Sequence, residues 1–143
     1  MNLESWVKVL SLLGAVVTFS WGVFQYIQNE QRQAESRRVE ATKPFLERQL
    51  KLYTQATQAA ATLATSNDEA ERTAALKRFW SLYWGELALV EDRKVEAAMV
   101  QLGKGLRDKA SPDEIKQLSL QLAHACRDSL AKSWGVQEWQ SPD

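Results

Sequence analysis

Two side chains of this sequence, His124 and Cys126, are of types that act as a general base and a nucleophile. Each is the only residue of its type in the chain. They are two positions apart in a predicted helix, so their side chains point about 200° apart and cannot act as one local pair. His124 could meet Glu86, Glu91 or Glu96 from another helix. A lone histidine in a helical bundle is more often a structural hydrogen-bond donor.

The sequence lacks the other patterns that bring chemistry. A metal site in a helical bundle needs paired Glu-x-x-His motifs, which one histidine cannot supply. Zinc ligands at short spacing, a glycine-rich phosphate loop and a G-x-S-x-G motif are also missing from the sequence. We therefore predict no catalytic residue, no metal, no cofactor and no enzymatic activity. Cys126 lies on the predicted apolar face, where we expect a small buried side chain.

The composition indicates an all-α protein whose charges balance. The 143 residues include 18 Lys and Arg and 18 Asp and Glu, so the formal net charge is zero. This balance argues against nucleic-acid binding by bulk electrostatics. The chain has only six glycines and three prolines, and no run of β-branched residues alternates with period two outside the apolar stretch near the N-terminus. Helices must therefore position any site.

The stretch Val9–Ile27 contains nineteen residues without a formal charge. As a helix it would span about 28 Å, close to the thickness of a bilayer's hydrocarbon core. Trp6 and Lys8 at one end, and Trp21 and Tyr26 at the other, suit the two membrane interfaces. We predict that this stretch is an uncleaved transmembrane helix.

A cleavable signal peptide and a buried core helix are the alternatives for this stretch. A signal peptide has a shorter apolar core and a small-x-small cleavage site, whereas this run ends in Phe24-Gln25-Tyr26-Ile27. A core helix normally has a polar stripe, which the few polar residues here do not form. Basic residues predict an outer N-terminus and a cytoplasmic C-terminal domain, since more of them follow the stretch than precede it. Those that follow are Arg32, Arg37, Arg38 and Lys43.

Proline divides the remainder of the chain. Lys43 precedes Pro44, which disfavours the α conformation, so we expect the helix to stop or kink there. The fold that follows from this pattern is a single N-terminal transmembrane helix and a cytosolic antiparallel bundle of three or four helices. The predicted parts are an outer tail and anchor (1–27), a juxtamembrane helical linker (28–43), the bundle (44–135) and a tail (136–143).

Local signals predict where the bundle helices begin. Ser66 and Glu69 match a capping box, in which the Ser66 side chain bonds the amide three residues on and the Glu69 side chain reaches back. Ser111 followed by Pro112 is typical of a helix start. Asp92 could cap a further helix, or the helix could run through it. The helix count therefore stays at three or four.

Two surfaces are candidates for association. Gly14, Thr18 and Gly22 form a ridge of small residues, through which two anchors could pack closely in lipid. The alternative is that glycine is simply common in transmembrane helices.

The second surface combines aromatic and basic residues in the middle of the bundle sequence. This surface includes Trp80, Tyr83 and Trp84. Together with Phe79, Leu76, Leu87 and Val90, they make one predicted helix apolar over most of its circumference near Tyr83. With Arg93 and Lys94 nearby in sequence, they could bind a partner or a small anionic ligand. Plain core packing, with the charges in solvent, is the alternative.

These features predict a membrane-anchored helical interaction or scaffold module. We expect it to contact membrane lipid, to form a homo-oligomer and to recruit or regulate an unknown protein partner. The alternative is a membrane effector, whose cytosolic domain senses a ligand or assembles and thereby perturbs the bilayer.

Overall fold

The computed structural model describes the backbone of residues 3–136. In the first helix it describes the side chains of Lys8, residues 21–27, Glu30 and the residues from Gln33 onward. No strand occurs over residues 3–136, so the predicted all-α helical bundle is confirmed. The chain divides into two compact units, Met1–Lys43 and Pro44–Asp143. The helices are α1 (Leu3–Thr65), α2 (Glu69–Trp84), a short 3₁₀ helix (Glu86–Leu89), α3 (Arg93–Arg107) and α4 (Pro112–Trp134).

The first unit contains the N-terminal part of α1. Every large apolar side chain described in this unit is exposed. These side chains are Trp21, Val23, Phe24, Tyr26, Ile27 and Val39. Over its described residues, no helix of the chain is both long enough and apolar enough to cross a bilayer.

Only one position of the predicted small-residue ridge can be described. Gly14 and Thr18 lie outside the described side chains. Gly22 is exposed, and a Cβ added there would have no atom within 4 Å.

The helix does not stop at the predicted proline break, because α1 continues through Pro44 to Thr65. Proline has no N–H to donate, so α1 lacks one backbone hydrogen bond at this position. In the turn before it, Thr42 donates its hydroxyl to the carbonyls of Arg38 (3.0 Å) and Val39 (3.2 Å).

The cap of α2 differs from the predicted one. Asp68, not Ser66, is the N-cap, and its carboxylate accepts from the amides of Ala70 (2.7 Å) and Glu71 (3.2 Å). Ser66 instead donates its hydroxyl to the Glu71 carboxylate at 2.6 Å. The predicted capping box with Glu69 is therefore wrong: Asp68 caps α2, and Ser66 Oγ accepts from the Asp68 amide at 3.1 Å instead of from the Glu69 amide.

Side-chain hydrogen bonds align α1 and α2 in antiparallel register. Near the turn, the Arg72 guanidinium donates to the Leu63 carbonyl at 2.8 Å. Six residues further along α2, the Arg78 guanidinium donates to the Gln55 side-chain carbonyl. Because the partner on α1 moves backwards as the chain advances along α2, the two helices are antiparallel.

The uncertain helix break is present, so the bundle has four helices. Asp92 is the N-cap of α3, and its carboxylate accepts from the amides of Lys94 and Val95, both at 3.0 Å. The start of α4 is as predicted: Ser111 caps it and Pro112 is in its first turn. The connection from α3 to α4 is only four residues long, which makes these helices antiparallel neighbours.

Two glycines let α3 pack closely on its neighbours. A Cβ at Gly103 would lie 3.1 Å from the Tyr83 ring and 3.3 Å from the Trp80 ring. A Cβ at Gly105 would lie 2.7 Å from Leu118 Cδ1 on α4.

The hydrophobic core contains residues of α1, α2, the 3₁₀ helix, α3 and α4. Its largest fully buried side chains are Tyr53, Phe79, Leu82, Leu87, Met99, Leu102, Leu122 and Val95.

Candidate interaction site

The aromatic residues of α2 form one contiguous cluster. Phe79 is fully buried, and its ring centroid lies 5.1 Å from that of Trp80 in an edge-on arrangement. Trp80 and Tyr83 are half-buried and meet edge-on at 5.2 Å. These rings face the Gly103 backbone of α3, so core packing, the alternative in the sequence analysis, accounts for much of their surface.

Trp84 is the member of the predicted surface that faces solvent. Its side chain is 75% exposed, although its ring meets Tyr83 edge-on at 4.6 Å. Leu89, in the 3₁₀ helix that follows, is also exposed. The end of α2 and the 3₁₀ helix therefore offer an apolar contact.

Arg107 is a cation that contacts the aromatic cluster and that the sequence did not predict. Arg93 and Lys94 are exposed in the first turn of α3. Gly103, where α3 meets Trp80, is ten residues beyond Arg93, which is about 15 Å along a helix. Arg107 lies there instead, with its guanidinium carbon 5.6 Å from the Trp80 ring centroid. This contact is a cation–π interaction.

A buried polar cluster, which the sequence analysis missed, joins α1, α4 and the loop before α3. The Gln49 amide donates to the Val90 carbonyl at 3.0 Å. The Tyr53 hydroxyl lies 3.2 Å from the same carbonyl and 3.0 Å from the Ser129 hydroxyl. Burial raises the pKa of Tyr53 above its ordinary value. Gln49 Oε1 is buried and has no hydrogen-bond partner among residues 3–136.

A charged groove lies between α1 and α2, and the sequence did not predict it. It encloses about 510 Å³, and its lining includes Arg48, Lys51, Arg78 and Glu86. Within it, the Arg78 guanidinium bonds the Glu86 carboxylate at 3.4 Å. Only the helix register brings these residues together, since they come from three separate segments. The mixed signs of their charges give no clear preference for an anion or a cation.

The two potentially reactive side chains are placed apart. His124 is exposed on α4. Cys126 is buried, as predicted, with 3% of its surface exposed. Burial, with Asp92 and Glu91 nearby, raises the pKa of Cys126 to about 12. A thiol with such a pKa is protonated at neutral pH and is a poor nucleophile.

No group of three or more potential metal ligands occurs in the part of the chain that the structure describes. Together, the fold and the site define a four-helix bundle with an exposed tryptophan, Trp84, at the end of α2. Comparison with protein-family models, curated proteins and solved structures finds no match to this chain.

Proposed function

We propose that this chain is a membrane-anchored interaction module, which associates through its anchor and recruits or regulates a partner through its bundle. The observation that supports it best is the exposure of apolar side chains around α1 between Trp21 and Ile27. Successive helical residues are about 100° apart, so the five apolar side chains in this segment cover most of the helix circumference. An exposed apolar surface of this kind is typical of a segment that contacts a membrane or another protein.

The sequence favours lipid as the partner of this apolar surface. The exposed segment is the end of the uncharged stretch Val9–Ile27, whose length fits a bilayer core. Trp21 and Tyr26, the latter 68% exposed, have the amphipathic rings that settle at membrane interfaces. The excess of basic residues after the stretch supports a cytoplasmic bundle.

A charge in the middle of the stretch tests the anchor. Val17→Arg should release the chain from membranes on alkaline extraction, because arginine at the centre of a spanning helix costs about 2.5–3.5 kcal/mol. Val39→Arg is the matched control, since Val39 is exposed and lies outside the stretch. The anchor is ruled out if alkali extracts the unmodified chain, or if Val17→Arg stays bound as firmly as Val39→Arg.

The small-residue ridge supports self-association. The open space around Gly22 would let a second helix approach closely. Replacing Gly14 and Gly22 together with leucine should weaken crosslinking between copies while the chain stays in the membrane. Unchanged crosslinking would remove the ridge from the proposal. The membrane effector predicts in addition that this variant loses vesicle leakage.

Trp84 supports a partner contact on the bundle. It is exposed, whereas the neighbouring rings of Phe79, Trp80 and Tyr83 are committed to packing. Tryptophan is enriched among the residues that dominate binding energy at protein interfaces. An anchored bundle would meet partners at high local concentration, so a small apolar contact of this kind can be effective.

A further inference from the structure

A cleft between α1 and α4 is lined mostly by apolar surface, and it encloses about 320 Å³. A cavity of about 150 Å³ holds one benzene molecule, so this cleft has room for an apolar group of roughly twelve carbons. Ligand sites with such walls commonly lie between the helices of a bundle. The lining residues are Tyr53, Thr54 and Thr57 of α1 and Ala123, Cys126, Arg127 and Leu130 of α4.

The polar side chains on the α1 side of the cleft have partners inside the protein. The Thr54 and Thr57 hydroxyls each donate to the carbonyl one turn earlier, at 2.8 Å and 3.0 Å. The Tyr53 hydroxyl belongs to the buried polar cluster and lies 3.0 Å from the Ser129 hydroxyl. A polar ligand would therefore gain few hydrogen bonds from α1, and the α1 side of the cleft suits an apolar group.

Arg127 is the charged residue in the lining of this cleft. Its side chain is 43% exposed, and its guanidinium bonds the Asp128 carboxylate at 3.2 Å. An exposed ion pair of this kind contributes little to stability, and a guanidinium has several N–H donors. A ligand carboxylate can therefore bind Arg127 beside Asp128 or in its place.

Charges near Cys126 determine which way such a ligand would lie. Burial, and then the nearby carboxylates of Asp92 and Glu91, raise the pKa of the Cys126 thiol. The same two carboxylates disfavour a second negative charge close to Cys126. The apolar part of the ligand must therefore lie beside Cys126, and its negative group must lie at the exposed Arg127 side chain.

From the apolar lining, the position of Arg127 and these charges, we infer that the α1–α4 cleft binds a fatty acid of about ten to twelve carbons, with its carboxylate on Arg127 and its chain beside Cys126. The bound chain would contact both helices and so hold α1 against α4. This inference concerns the bundle alone and does not depend on the membrane anchor.

Photoaffinity labelling of the full-length chain in detergent tests the inference. The probe is decanoic acid with a diazirine near the end of its chain, and the comparison probe is the corresponding alcohol, which has no charge. We expect the acid to label the segments 53–57 and 123–130 several times more than the alcohol does, and unlabelled decanoate to compete. Arg127→Gln should remove this preference, and Arg127→Lys should keep it. Arg93→Gln is the matched control, because Arg93 is exposed and does not line the cleft.

Equal labelling of the two segments by the acid and the alcohol would overturn the binding of the carboxylate by Arg127. Label that spreads along the chain without enrichment at the cleft would overturn the site itself, because the probe would then only have entered the detergent. Loss of the preference in Arg93→Gln as well would show a general effect of positive charge, and the inference would fail. Circular dichroism of each variant checks that the bundle has folded.

Discussion

The Tyr53 hydroxyl connects three parts of the bundle at a single buried point. It contacts the Val90 carbonyl before α3 and the Ser129 hydroxyl on α4, while its own residue belongs to α1. Tyr53→Phe keeps the ring but leaves polar atoms of its two partners with fewer hydrogen bonds. A buried polar group that loses its partner costs about 1–3 kcal/mol.

We therefore expect Tyr53→Phe to lower the free energy of unfolding by about 1–2 kcal/mol in urea titrations. Tyr83→Phe is the control, because it removes the same hydroxyl from a half-buried ring on α2 that lies outside the polar cluster. Equal stability of the two variants would contradict the importance of the cluster.

Glu91 makes the stability of the bundle depend on pH. Burial raises the pKa of Glu91 above its ordinary value, and the carboxylates of Glu96 and Asp92 raise the pKa further. The folded chain therefore holds this proton to a higher pH than the unfolded chain does. Stability consequently falls as the pH rises from the ordinary pKa of a glutamate through the pKa of folded Glu91.

Glu91→Gln removes this loss of stability. We expect the variant to melt at a higher temperature than the unmodified chain at neutral pH. Below about pH 4 the difference should disappear, because Glu91 is then mostly protonated in both states. Thermal melts across this pH range measure the effect, and identical melting temperatures at neutral pH would contradict it.

At the residue scale, the sequence predicted burial better than polar contacts. Cys126 lies on a regular apolar face, so its burial followed from spacing alone. The Gln49–Tyr53–Ser129 cluster could not be predicted in this way, because its members are separated by up to 80 positions and meet only in the folded bundle. The same reason explains why Arg107, and not Arg93, lies over Trp80.

At the scale of elements, the two glycines of α3 are packing residues with different surroundings. Gly103 faces the rings of Trp80 and Tyr83, which brace each other and cannot move aside easily. Gly105 faces the end of the flexible Leu118 side chain, which can rotate. At either helical position, alanine stabilises the helix by about 1 kcal/mol relative to glycine through its intrinsic helix propensity.

The balance of these effects should differ between the two positions. We expect Gly103→Ala to lower the free energy of unfolding by about 1 kcal/mol, because crowding against the rings exceeds the gain in propensity. Gly105→Ala should be neutral or slightly stabilising. Chemical unfolding of both variants measures the contrast, and a stabilising Gly103→Ala would show that the rings do yield.

Helix boundaries were predictable where one capping signal stood alone. Ser111 and Pro112 have no rival nearby, and α4 begins there. Near α2, Ser66 and Asp68 are both residues that can cap a helix, and the Asp68 carboxylate is the group that caps α2. At Pro44, the gap that a missing N–H leaves in one turn did not stop α1, although a proline commonly ends a helix.

At the scale of the whole molecule, composition was enough to predict an all-α chain, because the helix-favouring residues dominate and turn residues are rare. The four-helix count was not predictable, since Asp92 in the sequence is compatible with a cap or with a continuous helix. The role of the exposed apolar part of α1 rests on what covers it. We propose that lipid and a second anchor cover it.

The most direct test of this account is the mass of the full-length protein in a mild detergent, measured beside residues 44–143 alone. An anchor that both holds and assembles the chain predicts an oligomer for the full-length protein and a monomer for the bundle, whose exposed contact then remains free for a partner. A monomeric full-length protein would contradict self-association. An oligomeric bundle would show that assembly belongs to the bundle surface and not to the anchor.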